Sequence, residues 1–389
     1  MNNINLLYKK KFLVLLLFIS CCQNIFAQKP DSTAVSDSAL LKQIEQQMNQ
    51  SQQPQQPPPQ VRSGASYNPD IGVIGDFQGS YISRGKRNLD LYLNETEVSL
   101  QSNVDPYVRA DFFLTFGRDP ETLKYGAAVE EGYLTTLSLP AHLQLKAGKF
   151  RQAVGRINPT HPHALPFIDL PNAYVNYFGE EGLNDEGLSL SWLVPNKKFY
   201  QELIFQFTSG FNESPAFTRS DKNMFMYLGH LKNFFTLSDN ATLELGLTGI
   251  AGPNDSARTT SMATADLTYK WKPVKMNTYK SLTWQSEFFY SNAGMPAGMS
   301  SKRSFGLYSF LEYQIAKRWF LTGRYDYAQK PFDKSIVENG YSLTAGWYAT
   351  EFSKMEFEVK ATDSNVEPSY AQAWLRWIFV IGAHGAHQY

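Results

Sequence analysis

The stretch Asn103–Tyr125, NVDPYVRADFFLTFGRDPETLKY, carries the pattern on which the fold turns. It opens on a short turn, Asn103–Pro106, and closes on a longer polar link, Arg118–Tyr125. Between them, Tyr107–Phe116 alternates. Val108, Ala110, Phe112, Leu114 and Phe116 share one face, and Arg109, Asp111 and Thr115 share the other. Successive side chains on a strand point to opposite sides, so this is a strand with one apolar and one polar face. The pattern recurs along the chain. Ala241–Thr248 sets Leu243, Leu245 and Leu247 against Thr242, Glu244 and Gly246. Trp319–Tyr327 sets Trp319, Leu321, Gly323, Tyr325 and Tyr327 against Thr322, Arg324 and Asp326. Lys354–Ala361 sets Met355, Phe357, Val359 and Ala361 against Lys354, Glu356, Glu358 and Lys360.

A soluble sandwich also alternates, and the links decide between the two. Short ones fall at Asn103–Pro106, Pro140–Ala141, Pro195–Lys198, Ser238–Asn240, Ala316–Lys317 and Thr350–Ser353. Longer ones take turns with them, around Arg84–Asn88, Arg118–Tyr125, Arg151–Asp185, Asn212–Asn223, Pro253–Arg258, Ser291–Lys302, Lys330–Asn339 and Thr362–Ser369. Lys272–Lys280, on the short side, is longer than the pattern wants. Up-and-down membrane barrels have short periplasmic turns and long outer loops, whereas a Greek-key sandwich has no reason to alternate. The expectation is an all-β, transmembrane, up-and-down antiparallel β-barrel of about sixteen strands over residues 67–389, with both termini periplasmic. At that size a barrel leaves an aqueous lumen rather than a filled core. The last strand is read from Ala373, Leu375, Trp377, Phe379 and Ile381, with Tyr389 as the aromatic terminus that barrel assembly machinery reads.

Composition agrees. Aromatic residues make up 14%, charged residues 19%, and the formal net charge is zero, which gives no field favouring nucleic acid. Mean hydropathy is −0.35, too low for a bundle of membrane helices. Residues 1–27 read as a signal peptide: Lys9–Lys11, an apolar run Phe12–Ser20, and a cleavage site after Ala27. A lipid-bearing Cys21 is disfavoured by Phe18 three positions earlier. Both cysteines, Cys21 and Cys22, would leave with the leader, so thiol chemistry is not expected. Residues 28–66 form a low-complexity periplasmic tail. In it Leu40, Leu41, Ile44 and Met48 have near-helical spacing and Gln50–Gln60 is Pro/Gln-rich. It reads as a disordered leader or as a small oligomerisation helix.

Candidate functional residues cluster in the third long link. Arg151–Asp185 is the longest, and such a loop is usually functional. In general porins the third outer loop folds into the lumen and sets the constriction. Its ionisable groups are Lys149, Arg151, Arg156, His161, His163, Asp169, Glu180, Glu181 and Asp185, with Glu186 next to them. Bases at one end and acids at the other would set up a transverse field, or else would pair with the wall and pin the loop. Inward pairs, Glu95 with Glu97, Arg109 with Asp111, Arg324 with Asp326 and Glu356 with Glu358, read as a wetted wall. His161-Pro162-His163, with His384 and His387, raises zinc. Nothing in the sequence brings these histidines together, so neither metal nor cofactor is expected. No Gly-x-Ser-x-Gly elbow, phosphate loop or zincin motif is present, and no enzymatic activity is expected.

Tyr67–Phe77 (YNPDIGVIGDF), Glu97–Phe113, Glu131–Arg156 (EGYLTTLSLPAHLQLKAGKFRQAVGR), Phe178–Leu188 and the ending IGAHGAHQ together resemble a porin-like outer-membrane family of Bacteroidota. That family is distantly similar to the phosphate-selective porins. Asp31-Ser32-Thr33, Asp37-Ser38-Ala39 and Asp255-Ser256-Ala257 are similar to the O-glycosylation sequon used in that phylum. The resemblance implies a sixteen-stranded channel, with a homotrimer as its candidate assembly. It does not carry phosphate selectivity, because no clear ladder of lumen Arg and Lys is present. The functional expectation is passive diffusion of small hydrophilic solutes or ions across the outer membrane of a Gram-negative bacterium. The alternatives are a closed barrel that binds or scaffolds, and an outer-membrane enzyme.

Overall fold

The computed structural model describes residues 69–84, 88–119, 122–211, 214–220 and 224–382. The expected signal peptide, the tail, His384, His387 and Tyr389 lie outside the described residues.

The alternating segments form sixteen strands. They are β1 (Asp70–Ile82), β2 (Leu89–Asn103), β3 (Val108–Arg118), β4 (Tyr125–Thr136), β5 (Leu143–Arg151), β6 (Asn184–Leu193), β7 (Tyr200–Thr208) and β8 (Met226–Ser238). The second half comprises β9 (Ala241–Pro253), β10 (Thr259–Trp271), β11 (Leu282–Ala293), β12 (Lys302–Ala316), β13 (Trp319–Lys330), β14 (Asp333–Thr350), β15 (Ser353–Ser364) and β16 (Tyr370–Gly382). Each pairs antiparallel with its sequence neighbours, and β1 closes on β16 with Gly72 opposite Gly382 and Ile82 opposite Gln372. Closure leaves no unpaired edge, which is what a sheet in hydrocarbon requires.

Burial is inverted relative to a soluble protein. On the outer face Leu247 is 57% exposed and Leu375 50%, whereas inward-facing Glu358 and Asp326 are both 0% exposed. Such a surface is at rest only in an apolar solvent. Aromatic pairs sit on it towards the short-turn end, where Trp319 and Trp347 lie 6.3 Å apart. Others sit towards the loop end, where Phe305 stacks on Tyr327 at 5.4 Å. Amphipathic rings favour these two interfaces.

One link differs from expectation. Lys330–Asn339 is not a long loop: β13 continues to Lys330 and β14 begins at Asp333, paired across a two-residue turn. The irregularity is absorbed as a register shift, with Gln329 opposite Val337 but Lys330 opposite Asp333. The Lys272–Lys280 link holds a short 3-10 turn, Val274–Met276.

The interior is also not the wholly wetted wall expected. A buried apolar cluster joins inward residues of the wall (Met226, Leu228, Ile250, Met262, Phe289, Tyr308, Phe310) to residues of the β5–β6 link. Ala216 and Phe217, from the β7–β8 link, belong to it as well. A loop that carries apolar side chains into a lumen must find apolar wall to cover them.

Candidate functional site

Residues 152–183, between β5 and β6, form the inner loop, which holds a 3-10 turn at Pro162–Ala164 and one α-helix, α1 (Asn172–Phe178). Asn158, 0% exposed, ties the two ends of the loop together. Its Nδ2 donates to the Gln152 and Leu183 carbonyls at 2.7 and 2.9 Å. Its Oδ1 accepts from the Leu183 N–H at 2.8 Å and from the Tyr174 hydroxyl at 2.7 Å. The amide's two donors and two lone pairs are thereby all used. Gly182, at φ +73°, is required where Tyr174 passes, since a Cβ there would stand 2.0 Å from its hydroxyl.

From that knot the loop is anchored to the wall by charge-assisted bonds. On β11, Glu287 accepts the N–H groups of Arg156 and, at 3.0 Å, Ile157. Gly155 precedes them at φ +54°, where a Cβ would meet the same carboxylate at 2.4 Å. Arg156 reaches Glu244 on β9 at 3.2 Å. On β16, Arg376 holds Glu356 and donates to the carbonyls of Pro162 (3.3 Å), Leu165 (3.3 Å) and Phe167 (3.0 Å). On β15, Glu358 accepts the N–H groups of Ile168 and Asp169. The Asp169 carboxylate then meets Arg324 on β13, at 3.2 Å, and Lys360 on β15. The α1 helix lies against β13 and β12, and its rings reach β11, with Tyr177 stacked on Phe289 at 5.9 Å and Phe178 edge-on to it at 5.7 Å. Asn176 bonds to Glu338 on β14 and to Lys330 on β13.

On the opposite side the loop presents His161 to β2 and β4. Its Nδ1 lies 2.9 Å from Glu97 and its Nε2 2.9 Å from Glu131. Phe113 of β3 lies against its ring at 5.0 Å. Burial pushes the imidazole's pKa down, but the bonds to Glu131 and Glu97 outweigh it and raise it to about 10. His161 is therefore a cation clamped between two carboxylates. His163 lies beside it, ring centroids 5.5 Å apart, with Nδ1 3.7 Å from the same Glu97 oxygen.

The ionisable groups singled out from sequence thus divide. Arg156, His161, His163 and Asp169 are in the inner loop and engage the wall. Arg151 ends β5 and pairs with Glu130 of β4, also donating to the Glu181 carbonyl. Asp185, the second residue of β6, accepts from Ser209 and the Gly210 N–H. Lys149 is not part of the loop: it lies in β5, on the outer face with Ala147, its amine on the Val129 carbonyl at 2.7 Å. Glu180 and Glu181 are exposed at the loop's end, and Glu186 is exposed on β6. The pairing of loop charges with the wall, rather than a row of bases facing a row of acids, is what the geometry realises. Glu95, Glu97, Arg109, Asp111, Arg324, Asp326, Glu356 and Glu358 all face inward, as alternation predicts.

The sequence reading missed Asn158, Glu287, Arg376 and the pair Glu130–Glu131. That pair did leave a trace. Two successive carboxylates cannot both face inward on a regular strand, and β4 accommodates them with a register shift against β3 at Phe113/Leu114. Arg376 also left one, as the single charge between Trp374 and Ile378 on the inner face of an apolar strand.

No family model matches the chain. An uncharacterized protein of Aquifex aeolicus (strain VF5) is 27% identical over 397 residues, spanning 84% of this chain and 81% of that protein. Among solved structures, the outer membrane channel DcaP of Acinetobacter baumannii is similar at TM-score 0.56 and 11% identity, over 81% of this chain and 98% of that one. The anion-selective porin from Comamonas acidovorans matches at TM-score 0.55 and 9% identity, over 80% and 98%. OmpT of Vibrio cholerae, in its trimer form, matches at TM-score 0.54 and 9% identity, over 80% and 98%. The likeness to these structures is one of fold: a closed sixteen-strand antiparallel barrel.

Proposed function

We propose that this chain is a porin-like channel of the outer membrane, passing small hydrophilic solutes or ions passively, with the inner loop as its constriction. One observation carries the reading: the longest link of a closed sixteen-strand barrel lies inside the lumen, anchored from β2 round to β16. A loop held at many points narrows a passage to a fixed shape, and the polar groups that line the rest of the wall suit a hydrated permeant. Porins and channels among the structures of like fold support the same reading, and the trimeric OmpT form supports a trimer for this chain. In this reading the short turns and both termini are periplasmic, and the last strand is the one presented to the assembly machinery. The lineage we propose is the Bacteroidota porin-like family whose motifs the sequence resembles.

Planar-bilayer recording on refolded protein tests it. Stable conductance steps with a reversal potential in a salt gradient are expected, and a folded but silent barrel overturns the proposal. Deleting Ile157–Tyr177 is expected to raise the unit conductance; an unchanged value refutes the loop's role. A second reading, a closed barrel that binds or scaffolds, is favoured by the complete burial of Phe167, Tyr177 and Phe289 where loop and wall meet. It predicts silence from the intact protein and conductance only after the deletion.

A further inference from the structure

Glu97 of β2 and the His161-Pro162-His163 segment of the inner loop converge on one point. His161 Nδ1 and His163 Nδ1 lie 2.9 and 3.7 Å from the same oxygen, Glu97 Oε2. One ligand atom from each of the three side chains falls within 4.8 Å of the others. A tetrahedral zinc site with bonds of about 2.0–2.1 Å has ligand–ligand edges of about 3.3 Å. The two observed separations bracket that edge, so small side-chain rotations would seat an ion. We propose that Glu97, His161 and His163 form a binding site for a divalent transition ion of the zinc type, which ties the inner loop to β2. Glu130, whose Oε1 is 3.7 Å from His161 Nδ1, or a water completes the fourth position.

Three further features fit this ligand class. Glu131 Oε1 lies 2.9 Å from His161 Nε2 and itself accepts the Arg151 N–H at 3.0 Å. A carboxylate that takes the Nε2–H fixes the imidazole tautomer with Nδ1 aimed at the ion, the usual support of a metal-bound histidine. Pro162 confines His161 to extended backbone (φ −63°, ψ 140°), which keeps both rings on one side of the turn. The surroundings are acidic: Glu95 (the next carboxylate on β2), Glu97 and Glu130 each offer an oxygen within 4.8 Å of the others. Two imidazoles with a carboxylate favour zinc over magnesium or calcium. On binding, His161 Nδ1 releases its proton to solvent and its lone pair takes the ion.

The test uses the full chain refolded in detergent, with Co²⁺ as the spectroscopic probe and Zn²⁺ as competitor. One equivalent of Co²⁺ per barrel is expected, giving visible ligand-field bands that Zn²⁺ abolishes. His163→Ala and Glu97→Gln, on different elements, should each weaken binding at least tenfold, and Glu131→Gln by about 10–100-fold. Replacing both His384 and His387 by Ala should leave the site intact. Heat-modifiable migration in gels reports whether each variant has folded. Absence of bands in folded wild type overturns the proposal. So does a site that survives both His163→Ala and Glu97→Gln, or one lost with His384 and His387. The readout is binding, not current: a silent barrel that takes one cobalt leaves the proposal standing, and a conducting barrel that takes none overturns it.

Discussion

Arg376 is 1% exposed, and its guanidinium hydrogen-bonds Glu356 and three carbonyls of the inner loop. The Pro162 carbonyl also accepts the Leu165 N–H at 3.2 Å, and the Leu165 carbonyl also accepts from Lys354 at 3.3 Å, so the guanidinium fork joins these bonds in holding an irregular stretch of backbone. Arg376→Met is expected to destabilise the folded state by about 3–5 kcal/mol, because it takes from buried Glu356 the closer of its two cations and leaves only Lys354, at 3.2 Å. Urea unfolding of the refolded barrel measures this. A second substitution, Glu356→Gln, should recover part of the loss, and no recovery would mean that the loop carbonyls dominate. At this scale the sequence is legible in one respect only. Alternation told which way Arg324, Asp326, Glu356 and Glu358 point, since orientation is local. Their partners lie up to 190 positions away in the chain, as Ile168 does from Glu358, and no short-range pattern encodes that distance.

The inner loop is held by packing as well as by charge, and the two act on different parts of it. Its first half hangs on Glu287, Arg376 and Glu358, while α1 lies against β12 and β13 and sets its rings on Phe289 of β11. Phe289 is 0% exposed and touches both Tyr177 and Phe178. Phe289→Ala should cost about 3–5 kcal/mol of local packing, as large-to-small aromatic changes in a core do. The expected result is proteolysis within residues 152–183 while the barrel stays protease-resistant; equal resistance of loop and barrel would refute it. This wall was visible in the sequence as a broken alternation. Ser286–Ser291 reads SEFFYS, with Phe289 inward where a wetted wall wants a polar residue, and in β12 Tyr308 and Phe310 do the same. A reader of period-two patterns passes over such residues, because an aromatic suits either face of a strand. The misread Lys330–Asn339 link has a similar origin. Pro331, Asp333 and Asn339 are turn-type residues, yet pairing continues beyond them once the ladder has neighbours on both sides.

For the molecule as a whole, strand number, closure and strand facing are legible in the sequence, because each follows from repetition along the chain. The apolar outer face makes the membrane part of the fold. Leu247 lies near the middle of β9, opposite Ala265 and Leu231 on its neighbours. Leu247→Arg should therefore lose about 2–4 kcal/mol of stability in bilayers. Urea titration in lipid vesicles checks this, and a variant as stable as wild type would mean that this face is not lipid-exposed. What repetition could not supply is the interior, since the inner loop occurs once and its anchors are drawn from strands at both ends of the chain. Arg376 has a consequence for biogenesis. It belongs to the final strand, more than 200 positions after the carbonyls it holds. The loop is synthesised early yet cannot reach its final seat until β16 has zipped onto β1. The seated loop is thus a built-in record that the barrel has closed, and an unsealed intermediate would carry that segment loose.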